Sequence, residues 1–149
     1  MKFKFSLEKV LGHRKSLENM AQVDFQVALA NLKAEEAVLE EMKNKIALSR
    51  DQAFDYQTTP QDHAPKRLQQ VEEFIKGQHL RIKIQEAKIQ KMEDLVEGRR
   101  QILRTRVVES KILERLKERK QSDFELEASR KEQIETDDLN LIRLKLKEK

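Results

Sequence analysis

Apolar residues recur at seven-residue intervals along most of this chain. The first series has an apolar residue at six of its seven positions, which are Leu11, Glu18, Phe25, Leu32, Leu39, Ile46 and Ala53. The companion series is Leu7, Arg14, Ala21, Ala28, Glu35, Met42, Ser49 and Tyr56. A pattern sustained over so many heptads is typical of a coiled-coil seam, not of a helix that lies on a globular core. It predicts one helix over residues 6–58.

The segment QTTPQDHAPKRL interrupts this pattern. It contains both prolines of the chain, Pro60 and Pro65, together with threonine and aspartate, residues that end one helix and begin the next. Pro65 suits the first turn of a helix, because its missing N–H would have no intrahelical partner there. We therefore expect a turn over residues 59–65 and a second helix over residues 66–144.

The second helix has its own heptad series. Six apolar residues follow one another at seven-residue spacing, namely Leu68, Ile75, Ile82, Ile89, Val96 and Leu103. This series is no longer apolar after Leu103. We expect the apolar stripe to drift to a neighbouring series, Leu95, Ile102 and Leu116, because a straight helix slips against a seven-residue repeat. The predicted fold is all-α, a long two-helix antiparallel coiled-coil hairpin that forms a single elongated unit, with the second helix longer and overhanging.

The rise of the two helices predicts which residues face each other. Both helices advance by the same distance per residue, so in a hairpin that turns near residue 62 the numbers of facing residues add up to about 124. Two N-terminal phenylalanines, Phe3 and Phe5, would then extend the packing at the open end of the hairpin. They would lie opposite Leu113, Leu116 and Phe124.

Composition agrees with a long helix and argues against several classes of protein. Charged residues make up 39% of the chain and aromatic residues 5%, which is close to the profile of a coiled coil. The absence of cysteine rules out disulfides and thiolate metal sites, and it permits a reducing compartment. The longest purely apolar run, Val27–Ala30, is too short to span a bilayer, and no signal-peptide core is expected to direct secretion.

The sequence offers no motif for catalysis. Its three histidines, His13, His63 and His79, have no metal-ligand spacing. There is no glycine-rich phosphate loop and no nucleophile motif, and the many carboxylates lie on a helix that we expect to be solvated. We therefore expect no enzyme, no catalytic residue, no metal and no cofactor.

Two basic clusters, GRRQILRTR and RLKERK, raise the alternative of a nucleic-acid-binding coiled coil. Glu109, Glu114 and Glu118 are interleaved with these basic residues. Nucleic-acid binding usually takes a denser basic stripe, with aromatic residues where single strands are bound. We expect a solvated flank and no nucleic acid, and a generic coiled-coil adaptor is the other alternative. An adaptor would more often dimerise, whereas we expect a monomeric hairpin here.

The opening stretch FKFSLEKVLGHRKSLENMA resembles the FliJ family of flagellar type III export proteins. It fits the family pattern F-x-F-x-L-x-x-(V/L)-L-x-x-R-x-x-x-E at Phe3, Phe5, Leu7, Val10, Leu11, Arg14 and Glu18. Two later stretches are also similar to family elements, LQQVEEFIKGQ after the turn and ILERLKERK followed by the acidic EQIETDD. The resemblance covers nearly the whole chain.

The resemblance implies a non-enzymatic role in flagellar assembly, chemotaxis and motility. Members of the family resemble the central stalk of rotary ATPases and sit in the hexameric flagellar export ATPase. They contact the cytoplasmic domain of a membrane protein of the export gate, and they escort export chaperones. The implied location is the cytoplasm and the cytoplasmic face of the inner membrane at the flagellar base, without direct membrane insertion.

The resemblance also implies two sets of contact residues. For the ATPase ring we expect a tip formed by Phe3, Phe5, Leu11, Arg14, Leu116, Arg119 and Lys120. Its basic side chains would meet acidic loops of the ring. For the export gate the family uses a surface strip, which here corresponds to Phe74, Gln78, Arg81 and Gln85. Of these, only Phe74 keeps the apolar character of the family, since Gln78 stands where the family pattern has leucine.

Overall fold

A computed structural model of the chain describes residues 2–58 and 64–148. Two helices, α1 (Glu8–Thr58) and α2 (Ala64–Lys147), pack together as an antiparallel hairpin, and the described residues contain no strand. The predicted fold class, with α2 longer than α1, is confirmed. Residues 59–63 of the predicted turn lie outside the described residues.

The ends of the helices follow from local chemistry. The first backbone hydrogen bond of α1 runs from Leu11 N to the Leu7 carbonyl at 2.9 Å, so the helix begins slightly after residue 6. Pro65 is the second residue of α2, which is a first-turn position that needs no N–H donor. Basic residues Lys145 and Lys147 stand in the last turn of α2, where the helix dipole favours positive charge.

The described chain divides into two compact units. The middle unit comprises Ala21–Leu103, and the terminal unit combines Met1–Met20 with Arg104–Lys149. Each unit contains a part of both helices. The single elongated unit expected from the heptads stays a prediction.

The middle unit is held together by an apolar seam. Its buried cluster consists of Ala28, Leu32, Ile89 and Val96, with Phe25, Leu29, Leu39 and Met92 packed against it. Most of these residues belong to the heptad series, so the predicted seam is confirmed here. Burying a large aliphatic side chain contributes about 1.5–3 kcal/mol, which makes this cluster the main source of stability in the unit.

Polar side chains interrupt the seam of the middle unit. Gln85 is buried, and its Nε2 donates to the backbone carbonyl of Glu35 at 3.0 Å and to Glu35 Oε2 at 2.6 Å. Lys88 Nζ donates to the other carboxylate oxygen at 2.8 Å. The hydrogen bond from Lys88, followed by that from Gln85, lowers the pKa of Glu35. A directional polar layer of this kind favours one register of the two helices.

The terminal unit has a more polar seam. Leu11 is buried in it, but so is Ser110, whose side chain is completely covered and whose Oγ has no hydrogen-bond partner among the described residues. Ser110 follows Leu103 by seven residues, and the half-buried Lys117 and Phe124 continue the same series. The heptad therefore persists in α2 beyond Leu103, although polar residues occupy two of its three further positions.

The expected drift of the seam is wrong for two of its three residues. Leu95 and Ile102 are exposed, whereas Leu116 is half-buried. The reason is that α2 keeps its seven-residue register towards α1, so that Val96 and Ser110, not Leu95 and Ile102, face the other helix. Beyond Ala128, every described residue of α2 is exposed, which is the overhang of the longer helix.

Candidate interaction surfaces

The N-terminal segment packs its first aromatic residue against the far part of α2. The ring centroids of Phe3 and Phe124 lie 5.7 Å apart, with the ring planes tilted by 51°. Both rings and that of Phe5 are half-buried. An open groove of about 460 Å³ is lined by Phe3, Lys4, Phe5, Glu8 and Lys117. The expectation that Phe3 lies opposite Phe124 is confirmed.

Ion pairs between α1 and α2 surround this part of the terminal unit. Arg14 Nη1 and Glu109 Oε2 are 2.7 Å apart, and Arg106 reaches the same carboxylate oxygen at 3.3 Å. Two further pairs between the helices of this unit are Lys15–Glu114 and Lys117–Glu8. The hydrogen bond of Lys15 to the Glu114 carboxylate raises the pKa of that lysine. The partners agree with the predicted register, in which facing numbers add up to about 124.

All seven residues expected to contact the ATPase ring belong to the terminal unit, but their surroundings differ. Leu11 is buried and Leu116 half-buried, so both pack inside the unit. Arg14 is occupied by its ion pair with Glu109. Arg119 and Lys120 are exposed, and neither forms an ion pair within the part of the chain that the structure describes. These two cations are therefore the ones available to a partner.

The strip expected to contact the export gate is not a continuous exposed surface. Phe74 and Arg81 are exposed, whereas Gln78 and Gln85 are buried at 5% and 7%. The expected exposure is therefore wrong for the two glutamines. The physical reason is their spacing, because each lies four residues before a buried isoleucine, Ile82 or Ile89, and thus on the same face of α2.

Phe74 lines an open groove near the start of α2. The groove has a volume of about 410 Å³ and is lined by Ser49, Gln52, Tyr56, Arg67, Gln70, Val71 and Phe74. The guanidinium carbon of Arg67 lies 6.0 Å from the centroid of the Tyr56 ring, at the limit of a cation–π contact. The groove thus combines two aromatic rings with a cation, and it leaves 44% of Phe74 accessible.

Two further features concern metal binding and membrane insertion. In residues 2–58 and 64–148, no group of three or more His, Cys, Asp or Glu side chains is arranged to hold a metal ion. No helix of the described part contains a stretch that is both long and apolar enough to cross a membrane.

The comparison with protein families decides the classification. The model of the flagellar FliJ protein family matches residues 3–149. The chain belongs to the FliJ family. No curated protein and no solved structure gave a significant match. FliJ proteins are non-catalytic components of flagellar protein export, so this chain is a flagellar export protein. The family predicted from the opening motif is confirmed.

Several contacts of this FliJ-family chain were missed by sequence reasoning. Glu109 pairs with Arg106 of its own basic cluster, in agreement with its interleaved position, but it also binds Arg14 of α1. Glu114 binds Lys15 of α1, a contact that its position among basic residues did not indicate. The predicted register contained the signal, because it puts each of these acidic residues close to its basic partner. Nothing in the sequence marked Glu35 as the acceptor of Gln85, since that contact depends on a side-chain conformation inside the seam.

Proposed function

We propose that this chain is a non-enzymatic component of the flagellar type III export apparatus that acts like the central stalk of a rotary ATPase. Its terminal unit binds the hexameric export ATPase and promotes assembly and activity of the ring. The observation that carries the proposal is the contact between the Phe3 and Phe124 rings. Because of this contact, both terminal segments of the chain contribute to one surface, as a stalk tip requires.

Charge supports the docking of this surface into a ring. Arg119 and Lys120 are exposed and are the cations that meet acidic loops of the ATPase, and such complementarity steers association. Arg14 has a different role, because its guanidinium is bonded to Glu109 and keeps α1 against α2. Removing Arg14 would therefore change the shape of the tip as well as its charge.

The apolar residues of the tip also differ in their exposure. The side chains of Phe3 and Phe5 line the open groove and present accessible aromatic edges to the ATPase hexamer. Leu11 is buried and Leu116 is half-buried, so both contribute to the packing of the unit more than to its accessible surface. Aromatic side chains that are partly covered in the free protein are well suited to become anchors of an interface.

A second surface serves the export gate. Phe74 and Arg81 are exposed and contact the cytoplasmic domain of the gate membrane protein, whereas Gln78 and Gln85 are buried in the seam. Binding at this site holds the chain at the cytoplasmic face of the inner membrane without inserting it. There the chain also escorts export chaperones.

The test is a titration of the purified cognate export ATPase with this chain. Stimulated ATP hydrolysis, together with more hexamer by light scattering, is the expected result. The Arg119→Ala, Lys120→Ala double variant should need a higher concentration for half-maximal stimulation. The difference should shrink at high salt, because exposed charges are screened beyond a Debye length of about 8–10 Å.

The matched control is the Lys43→Ala, Arg50→Ala double variant, which removes two exposed cations from the middle unit. It should stimulate the ATPase as the unchanged chain does. No stimulation at saturating concentration, with the helical circular-dichroism signal intact, would contradict the stalk proposal and leave a generic coiled-coil adaptor.

A further inference from the structure

α2 has a second apolar face within the middle unit, on the side away from α1. We call it the outer stripe, and it consists of six exposed residues, which are Leu80, Ile84, Ala87, Leu95, Gly98 and Ile102. Steps of three and four residues, or sums of such steps, place all of them on one face of a helix. The buried residues of the same stretch lie on the opposite face, and they are Gln78, Ile82, Gln85, Ile89 and Val96.

The outer stripe has its own sequence period. Ile84 is followed eleven residues later by Leu95, and Ala87 is followed at the same interval by Gly98. Leu80 and Ile102 are two such intervals apart, with Lys91 halfway between them. An eleven-residue repeat keeps an apolar face aligned along a nearly straight helix. The seam towards α1 follows seven residues instead, so the outer stripe is a separate pattern that pairing with α1 does not explain.

The exposure of this stripe is large for aliphatic residues. Leu80 is 64% exposed and Ile84 is 72% exposed. Single exposed aliphatic residues are ordinary, but a row of them on one face in a chain with 39% charged residues indicates an interaction site. No atom lies within 4 Å of a Cβ placed on Gly98. Together with the small Ala87, this leaves room for another backbone to approach closely.

The charges beside the stripe define the chemistry of its partner. Between residues 76 and 91, along the first half of the stripe, the sequence has five basic side chains and a single acidic one, Glu86. Along the second half, residues 92–102 have two basic and three acidic side chains, so the basic character belongs to the first half. Lys88 is paired with Glu35. Lys76, Arg81, Lys83 and Lys91 are exposed, and they form no ion pair with any described residue. Arg81 and Lys83 flank the stripe, whereas Lys91 lies within it. An aliphatic row with unpaired cations beside and within it is complementary to an aliphatic helix face that also carries carboxylates.

We propose that the outer stripe docks an acidic amphipathic α-helix of a partner protein. The aliphatic face of that helix packs on Leu80, Ile84 and Leu95, and its carboxylates pair with Lys83 and Lys91. A membrane surface suits the stripe less well, because interfacial helices bury a broad face that includes Trp or Phe, and this stripe is narrow and has no aromatic residue. The proposal does not depend on the ATPase, which is assigned to the terminal unit.

The test uses the full chain and a synthetic peptide of about 25 residues, which is long enough to cover the stripe at 1.5 Å per residue. The peptide has leucines in an eleven-residue repeat, glutamates on both edges and a fluorescent label, and binding is followed by anisotropy. Saturable binding that weakens with salt is the expected result. Leu80→Gln and Ile84→Gln should each weaken it about tenfold, as expected for the loss of one buried aliphatic side chain.

The chain offers a closely matched control. Leu48 on α1 is 64% exposed, like Leu80, but does not belong to the stripe, so Leu48→Gln should leave binding unchanged. The Lys83→Glu, Lys91→Glu double variant should lose the acidic peptide and gain affinity for a peptide with lysines on its edges. Circular dichroism of each variant checks that the helices persist.

Four outcomes would overturn the proposal. The first is equal binding of the acidic and the lysine-edged peptide by the unchanged chain, and the second is an equal loss in Leu48→Gln and Leu80→Gln. The third is binding to phosphatidylglycerol vesicles without binding to the acidic peptide, which would make the stripe a lipid-binding face. An absence of peptide binding altogether would also reject it.

Discussion

The two units of this hairpin are built from the same pair of helices but are held together by different interactions. The middle unit has a compact aliphatic cluster around Leu32 and Ile89. The terminal unit has Leu11 as its buried aliphatic residue among the described positions, together with the unpartnered hydroxyl of Ser110. Within the described part of this unit, three ion pairs, among them Arg14–Glu109, join its two helices.

Because of this difference, we expect the middle unit to be the more stable one and the terminal unit to rearrange its contacts more easily. Aliphatic burial is not weakened by salt, and it fixes the register of the middle unit. Partly exposed ion pairs contribute about 0–1 kcal/mol each and are screened by salt. The terminal unit can therefore exchange its internal charge contacts for those of a partner at small cost, as expected of the unit that we assign to the ATPase ring.

The largest expected effect is in the middle unit. Leu32→Ala should lower the free energy of unfolding by about 2–3 kcal/mol, because it removes buried methyl groups and leaves a cavity in the cluster. Urea denaturation followed by circular dichroism measures the change. Leu48→Ala, at an exposed position, should stay within about 0.5 kcal/mol of the unchanged chain. Equal losses in the two variants would mean that the cluster does not hold the unit.

A gain in stability is expected in the terminal unit. Ser110→Ala should raise the free energy of unfolding by about 1 kcal/mol, because it removes a fully buried hydroxyl that has no hydrogen-bond partner among the described residues. Part of that gain comes from the higher helix propensity of alanine. Ser122→Ala, an exposed site on the same helix, measures this part alone. If Ser110→Ala gained no more than Ser122→Ala, the hydroxyl would be satisfied in solution.

The smallest expected effect is on the stability of the terminal unit, and its dependence on salt distinguishes this unit from the middle unit. Arg14→Ala should cost about 0.2–1 kcal/mol at low ionic strength and less in 1 M NaCl, where the Debye length is about 3 Å. Hydrogen exchange of amides in residues 8–20 measures this cost locally. The cost of Leu32→Ala should not decrease in the same salt. A salt-independent cost of Arg14→Ala would show that its packing matters more than its charge.

Much of the fold was predictable from the pattern of apolar residues. The heptads of Leu32 and Ile89 predicted the seam, and the prolines near residue 62 predicted where α1 ends. The register followed from these two facts, which is why Phe3 was correctly expected near Phe124. Family membership was accessible for a similar reason, since the opening motif is local in sequence.

The candidate surfaces were less predictable. Gln78 and Gln85 were assigned to an exposed strip because their positions correspond to a surface strip of the family, but both are buried. Leu95 and Ile102 were assigned to the seam because they are apolar, but both are exposed. In both cases the position of the residue on α2 relative to α1 determined its environment.

The sequence by itself determined two helices, the site of the break between them and the approximate pairing of their residues, because helix period and proline chemistry act over a few neighbouring residues. The tertiary structure alone decided which polar groups are buried and which charges pair. Glu35 accepts hydrogen bonds from Gln85 and Lys88, and Ser110 is fully buried. Both features depend on the position of the facing helix, and a shift by about the width of one side chain would change them. That position results from all contacts of a unit together, so no single stretch of sequence encodes it.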